Sequence, residues 1–242
     1  MANAIEIKSL RKEFGKKTAV KDISLTIQEG TVFSLLGVNG AGKTTTIRML
    51  SGLSKPTSGD ALIYGKSILT EMDSIKKFSN ISPQETSIAP NLTVYENLEF
   101  IASIYGVEKA ECGKRIEKVV DQFALHHILK QKAKTLSGGW QRKVSIAMAL
   151  IAEPKVLYLD EPTLGLDVLA RRELWDVVEQ LKGNRTIILT THYMEEAEQL
   201  SDDVAVMVNG EVKACGTVEE LKTQTGKESL EEAFIKIARE EK

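Results

Sequence analysis

Cysteine is scarce in this 242-residue chain: Cys112 and Cys215 are the two present, with no CxxC spacing and no histidine placed to share a metal. That argues against a structural zinc site or a disulfide framework and fits two free thiols in a reducing compartment. Long apolar runs are missing too. None approaches the roughly 18 residues that a bilayer span requires, and Met1-Ala2-Asn3-Ala4-Ile5-Glu6 has no signal-peptide core. The expectation is a polypeptide that stays in the cytosol unless a partner carries it to a membrane. Charge of one sign is not in excess: 32 lysines and arginines stand against 34 aspartates and glutamates, and a net charge of −2 gives no reason to expect a nucleic-acid partner. Internal repeats, long linkers and low-complexity tracts are not seen. What remains, with 42% hydrophobic and 27% charged residues, is an ordinary globular chain with material for a sizeable core in one or two closely packed domains.

The strongest positive signal is Gly37-Val38-Asn39-Gly40-Ala41-Gly42-Lys43-Thr44, a GxxxxGK[ST] pattern directly after the apolar run Val32-Phe33-Ser34-Leu35-Leu36. A strand, a glycine turn and a helix in that order build a phosphate cradle. The glycines let backbone N–H groups converge on one anion, and the helix beginning near Gly42 adds the positive end of its dipole. The ligand implied is a nucleoside triphosphate. Lys43 is a point charge for its terminal phosphates, and the Thr44 hydroxyl is placed to hold the accompanying magnesium ion.

Two textures alternate along the chain. Ile5 to Glu13 and Ile23 to Ile27 alternate with period two, and Ala61-Leu62-Ile63-Tyr64 before Gly65 reads as a short strand ending in a turn, so an antiparallel sheet is expected on the N-terminal side. Val156 to Leu159 and Thr186 to Thr190 are near-continuous apolar or β-branched runs, each after a helical segment, which predicts buried strands of a parallel sheet. Asn97 to Tyr105, Lys109 to Phe123 and Val144 to Ala152 carry helical spacing and make the middle third largely helical. Val204 to Val208, Asn209-Gly210 and Glu211 to Ala214 form a hairpin pattern. Ser229 to Arg239 closes with an amphipathic helix whose stripe is Leu230, Ala233, Phe234 and Ile237.

Chemistry gathers where the parallel strands end. Val156 to Leu159 runs into Asp160-Glu161, two carboxylates on the carboxyl rim that also holds the phosphate loop. Asp160 is the expected partner of magnesium, and Glu161 the group that orients and deprotonates a water attacking the γ-phosphate. An acidic pair complementing a helix dipole, with Pro162-Thr163 following, is the plainer alternative. His192, after the Thr186–Thr191 run, is either a polar strand cap or a group on the same rim that reaches the γ-phosphate. Leu136-Ser137-Gly138-Gly139-Trp140-Gln141-Arg142 opens a further helix and supplies a second anion-competent N-terminus, unless it is an ordinary serine-capped helix.

Taken together these segments resemble the ATP-binding cassette family, over nearly the whole chain and in the family order. The match covers Phe14 as the aromatic that stacks on adenine, the phosphate loop, Gln84 as the glutamine loop, Ser137-Gly138-Gly139 as the signature, Asp160-Glu161, the loop Thr163 to Asp167, and His192 as the switch histidine. Asn91 to Leu98 and Ser229 to Phe234 are similar to cassettes of bacterial drug, lipid and sodium exporters of the ABC-2 type. The resemblance implies an α/β fold: a P-loop NTPase core with a mostly parallel sheet, an N-terminal antiparallel β subdomain and a helical subdomain. One cassette then spans 1–242, with its core in 1–84 and 154–216, the helical subdomain in 85–153 and C-terminal helices in 217–242. It implies ATP and Mg2+ as cofactors, with nucleotide contacts from Phe14, Gly37, Asn39, Gly40, Ala41, Gly42, Lys43, Thr44, Thr45 and Gln84. Thr44, Gln84 and Asp160 would hold the metal, and Lys43, Glu161 and His192 would serve hydrolysis. It implies a head-to-tail dimer with a second cassette, a homodimer being expected, in which Ser137, Gly138 and Gly139 act on the partner's ATP, and Gln84 passes the movement to a multi-span membrane permease. The chain would then sit peripherally on the cytoplasmic face of the membrane and energise transport, export by analogy.

Some positions depart from the family pattern. Trp140 replaces a residue that is usually glutamine, and an indole at the dimer seam is expected to affect closure; Lys143 stands where arginine is common, Leu164 where a small or polar residue is usual, and Val168 where proline is frequent. Two other classes share the phosphate loop. A soluble single-cassette assembly factor, as in iron–sulfur cluster assembly, differs in its partner, and a phosphoryl-transferring kinase needs neither a signature helix nor Glu161.

Overall fold

The structure, a computed structural model, describes residues 2–239; Met1 and the last three positions of the expected 217–242 segment lie outside the described residues. The chain opens with the long strands β1 (Asn3–Phe14) and β2 (Lys17–Gln28), continues through β3 (Val32–Leu36) and helix α1 (Lys43–Leu50), and returns as β4 (Ser58–Ile63) and β5 (Lys66–Ser67). The period-two segments pair antiparallel as expected, in the order β2-β1-β4-β5. One face of that sheet carries Ile5, Ile7, Ile23, Ile27, Ala61 and Ile63, all buried. Burying each of these isoleucine side chains is worth roughly 1.5–3 kcal/mol.

The short helix α2 (Met72–Ile75) leads to β6 (Ser79–Ser82), then come α3 (Val94–Ile104), α4 (Lys109–Gln122), α5 (Gly138–Leu150) and β7 (Val156–Asp160). Next are α6 (Val168–Leu181), β8 (Thr186–Thr191), α7 (Met194–Leu200), the hairpin β9 (Asp203–Val208) and β10 (Glu211–Gly216), and the helices α8 (Val218–Thr225) and α9 (Leu230–Arg239). Six of these strands form the second sheet, in the order β10-β9-β3-β8-β7-β6, parallel except for the terminal β10.

The continuous apolar runs of β7 and β8 have a simple cause: successive residues serve different cores. Val156, Tyr158 and Ile188 face α1 and the antiparallel sheet, packing with Phe33, Ile47 and Met49. Leu157, Leu159, Ile187 and Leu189 face the opposite way into a core shared with α3, α4, α5 and α6. Helix α1 is thus held between two sheets, which fixes the phosphate loop before it. A third cluster joins β9 to α7, α8 and α9 through Val204, Val206, Leu221, Leu230 and Phe234, the closing stripe read from the sequence.

Two local devices hold the segment after β6. Thr93 and Glu96 form a reciprocal capping box at the start of α3, with Glu96 N donating to Thr93 Oγ1 at 3.2 Å and Thr93 N to Glu96 Oε2 at 2.7 Å. Fully buried Asn97 accepts from Ala89 N at 2.8 Å and donates to Ala89 O at 3.2 Å, pinning the loop from Gln84 onto the helix. The stretch Asn91 to Leu98 therefore has a local physical role.

Candidate functional site

Parallel strands put their carboxyl ends on one rim, and here β3, β8, β7 and β6 lie side by side. Chain leaving those ends carries the phosphate loop, His192, Asp160-Glu161 and Gln84 in turn. Between them lies a cleft of about 400 Å³ lined by Phe14, Asn39 to Thr45, Gln84, Glu161 and His192, together with Lys17, Ala19 and Leu164. Gly37 and Asp160 are buried beside it rather than lining it.

Two glycines of the loop are demanded by close approach. A Cβ on Gly37 would sit 2.4 Å from the carbonyl oxygen of Met207 on β9, and Gly42 has φ 106° with a Cβ position 2.7 Å from Ala19 O. Gly37 N donates to Thr191 O at 3.2 Å and Gly210 N to Ala41 O at 3.0 Å, so the hairpin turn at Asn209-Gly210 braces the loop from outside. Lys43, 4% exposed, donates through Nζ to Gly37 O at 2.6 Å and forms an ion pair with Glu161 Oε1 at 3.1 Å.

Both carboxylates have defined neighbours. Asp160 Oδ1 accepts from Thr44 Oγ1 at 2.8 Å and from Thr190 Oγ1 at 2.6 Å. Glu161 Oε2 lies 2.8 Å from His192 Nδ1. Glu161 has φ 48°, a left-handed conformation that costs a non-glycine residue about 1–2 kcal/mol. Its N–H donates to Thr190 Oγ1 at 3.0 Å and holds the turn there. The helix-dipole alternative for this pair fails, because the next helix starts at Val168 and is capped by Asp167, whose side chain accepts from Ala170 N. Among the described residues no group of three or more His, Cys, Asp and Glu side chains is arranged for a metal. Thr44, Asp160 and the Gln84 amide offer oxygen donors, the set that suits a hard divalent cation sharing a phosphate ligand.

Sequence reasoning missed the residue that ties these loops together. Arg142, on α5 and 4% exposed, donates through Nε to Pro162 O at 3.0 Å, through Nη2 to Asp160 O at 2.7 Å, and through Nη1 to Pro83 O. One guanidinium thus joins the signature helix, the turn at Asp160-Glu161 and the segment entering Gln84. Burial lowers its pKa to about 10, while the nearby Asp160, Glu196 and Glu161 carboxyls pull it back up, so it stays charged at neutral pH. A signal was available: α5 is buried almost all round, and a charge inside such a helix needs partners. Thr190 was missed as well.

Ser137, Gly138 and Gly139 do not line this cleft. Ser137 occupies the N-cap position of α5, yet its side chain makes no capping hydrogen bond, so the ordinary serine-cap alternative also fails. The Trp140 indole is partly buried against the helical core, edge-on to His127 at 4.8 Å, with Lys143 Nζ 4.5 Å from its ring centre. Lys143 itself pairs with Glu173. Phe14 is 55% exposed at the cleft mouth with Lys12 Nζ 4.9 Å from its ring centre.

The ABC transporter family matches residues 20–164 of the chain. Human phospholipid-transporting ATPase ABCA3 is 45% identical over 226 residues, 92% of this chain but 13% of that protein, so the chain spans only about an eighth of its length. Among solved structures, the ATP-binding subunit of an ABC transporter superposes with a TM-score of 0.88 at 30% identity, covering 98% of this chain and 100% of that one. A dimeric post-hydrolysis state of the ATP-binding cassette MJ0796 with ADP and Pi superposes with a TM-score of 0.80 at 26% identity, over 88% of this chain and 98% of that one.

Proposed function

Since this chain belongs to the ATP-binding cassettes of the ABC transporter family, we propose that it hydrolyses ATP as one half of a cassette dimer and thereby drives a separate membrane-spanning permease. The observation carrying this is the contact of Lys43, Glu161 and His192, at 3.1 and 2.8 Å, on one rim beneath a glycine loop. Lys43 moves from the Gly37 carbonyl to the terminal phosphates and offsets their charge. Glu161 takes the proton of the attacking water, and His192, bonded to the same carboxylate, holds it in orientation. Phe14 offers a ring face to the base. Thr44, Asp160 and the Gln84 amide would hold Mg2+, which would neutralise charge on the phosphates.

The second half-site comes from another copy. A Cβ on Gly138 would meet nothing within 4 Å, and one on Gly139 only Ala170 and Leu166 at ordinary contact distance. Neither glycine is required by the chain's own packing, so the requirement lies outside it. An ATP phosphate delivered by a facing cassette is the ligand that a helix N-terminus with an uncommitted serine fits. The related MJ0796 cassette, described as dimeric with ADP and Pi, supports this arrangement. No helix of the described residues is long and apolar enough to cross a membrane. We place the chain peripherally on a permease at the cytoplasmic face, with export of a lipid or drug-like molecule supported by the phospholipid transport named for ABCA3.

Glu161→Gln tests the proposal. It is expected to retain ATP, to run as a dimer in gel filtration with ATP, and to lose turnover by on the order of 10²–10³-fold. Undiminished hydrolysis would remove Glu161 from its role. Cross-linking that variant with ATP in its host and identifying co-purifying proteins by mass spectrometry tests the partner: a multi-span membrane protein is expected, and soluble partners alone would favour an assembly factor.

A further inference from the structure

His192 is held by Glu161 on one side and by its neighbour in sequence on the other. The Tyr193 ring lies against the imidazole with centroids 4.1 Å apart, and the guanidinium of Arg171, in the first turn of α6, sits 5.0 Å from the other partner's ring centre, that of Tyr193. One turn further along each helix, Trp175 Nε1 donates to Glu196 Oε1 at 3.2 Å. Glu196 is fully buried and Trp175 2% exposed, so this contact is sealed from water. The second carboxyl oxygen, Oε2, and Thr163 Oγ1 are both buried without a hydrogen-bond partner. Burial, with Glu161 nearby, holds the Glu196 carboxyl above the usual glutamate range, while the Thr191 and Trp175 side chains favour its charged form.

We propose that Tyr193 and Glu196 are positioning residues for His192: with Arg171 and Trp175 they clamp the start of α7 to the start of α6. The loop Thr163 to Asp167 ends where α6 begins, so a displacement of that loop carries α6, and through the clamp carries His192 relative to Glu161. Arg171 and Trp175 lie four apart on one face of α6, and Tyr193 and Glu196 three apart at the start of α7, so the two contacts stack along the same helix pair. The loop following Glu161 and the imidazole that orients it thereby move as one piece.

The inference rests on the hydrolytic roles proposed for Glu161 and His192. Steady-state and single-turnover hydrolysis of radiolabelled ATP by the purified full chain tests it. Because a misplacement of about 1 Å can cost up to roughly 10²-fold in rate, Tyr193→Ala is expected to lower kcat by about tenfold or more, with KM for ATP within about twofold. In a His192→Ala background the same change should alter kcat by less than about twofold, because the group it positions is gone. Glu196→Leu should behave like Tyr193→Ala, and Glu196→Gln, which keeps one oxygen to accept from Trp175 Nε1, should retain about half of kcat or more. Wild-type kcat in Tyr193→Ala, or a loss undiminished in the His192→Ala background, overturns the clamp. If melting shows Tyr193→Ala to be unfolded, Arg171→Gln breaks the same stack from α6 and is read by the same two criteria. A wild-type chain insensitive to Glu161→Gln defeats the hydrolytic reading instead, whereas sensitivity to Glu161→Gln with a silent Tyr193→Ala defeats the clamp alone.

Discussion

Two helix N-termini in this molecule share one local chemistry and differ in how their surroundings use it. At α1 the glycine loop is pressed between Met207, Ala19 and the end of β8, and Lys43, 4% exposed, donates to the Gly37 carbonyl behind the turn. At α5, Ser137 and Gly138 are exposed, the serine does not cap its own helix, and a Cβ on Gly138 would enter open space. The first glycine set is explained by the fold that surrounds it. The second is not, which fits the contact with a facing cassette proposed above.

The largest effect that tests the contrast is expected at Gly37. Gly37→Ala drives a methyl to 2.4 Å from the Met207 carbonyl, so the loop and β9 must separate; ATP binding, read by equilibrium dialysis, should fall by on the order of 10²-fold or more. Arg142→Met comes next. It leaves the Pro83, Asp160 and Pro162 carbonyls of the two rim loops without their donor, and a loss of about 3 kcal/mol is expected, seen as a Tm lower by roughly 6–12 °C. Gly138→Ala should do the opposite to stability: alanine is the better helix former by about 0.5–1 kcal/mol, so Tm holds or rises while turnover drops on the order of tenfold. A parallel loss of both would erase the distinction between the two N-termini.

The smallest effect concerns the buried carboxyl behind the first site. Glu196 has a folded pKa raised above the ordinary 4.5, so the folded chain binds more protons than the unfolded one between that value and the raised one. Its contribution is fully present below pH 4.5 and is lost as pH rises through the folded pKa. Glu196→Gln removes the titration, and its denaturant midpoint should gain on that of the wild type as pH rises across the same window. A difference constant with pH would mean that folding does not raise the Glu196 pKa.

Legibility in the sequence followed the range of the interactions. The antiparallel pattern of β1 and β2, the buried runs of β7 and β8 and the Asn209-Gly210 hairpin could be read because period and turn chemistry are local. The capping box of Thr93 and Glu96 carries an equally local T-x-x-E signal. Arg142 could not be placed the same way. Its acceptors are backbone carbonyls at Pro83, Asp160 and Pro162, and no side-chain identity at those positions announces them. The inward packing of Trp140 onto His127 escaped for the same reason, since the partner lies on another element.

By itself the sequence determined which groups are available for the chemistry: a glycine loop ending in Lys43-Thr44, two carboxylates at a strand end, a histidine after the next strand, and a second glycine pair after Ser137. It also determined the alternation of strand and helix that makes a parallel sheet the only way to bury both faces of those runs. Only the tertiary structure decided that β3, β8, β7 and β6 lie side by side, which puts Lys43 3.1 Å from Glu161 and His192 2.8 Å from it. It alone decided that the glycines at Gly37 are filled from behind while those at Gly138 are not. The reason is physical: local sequence sets backbone preference within a few residues, whereas contact between segments far apart in the chain depends on how three separate cores pack around one sheet.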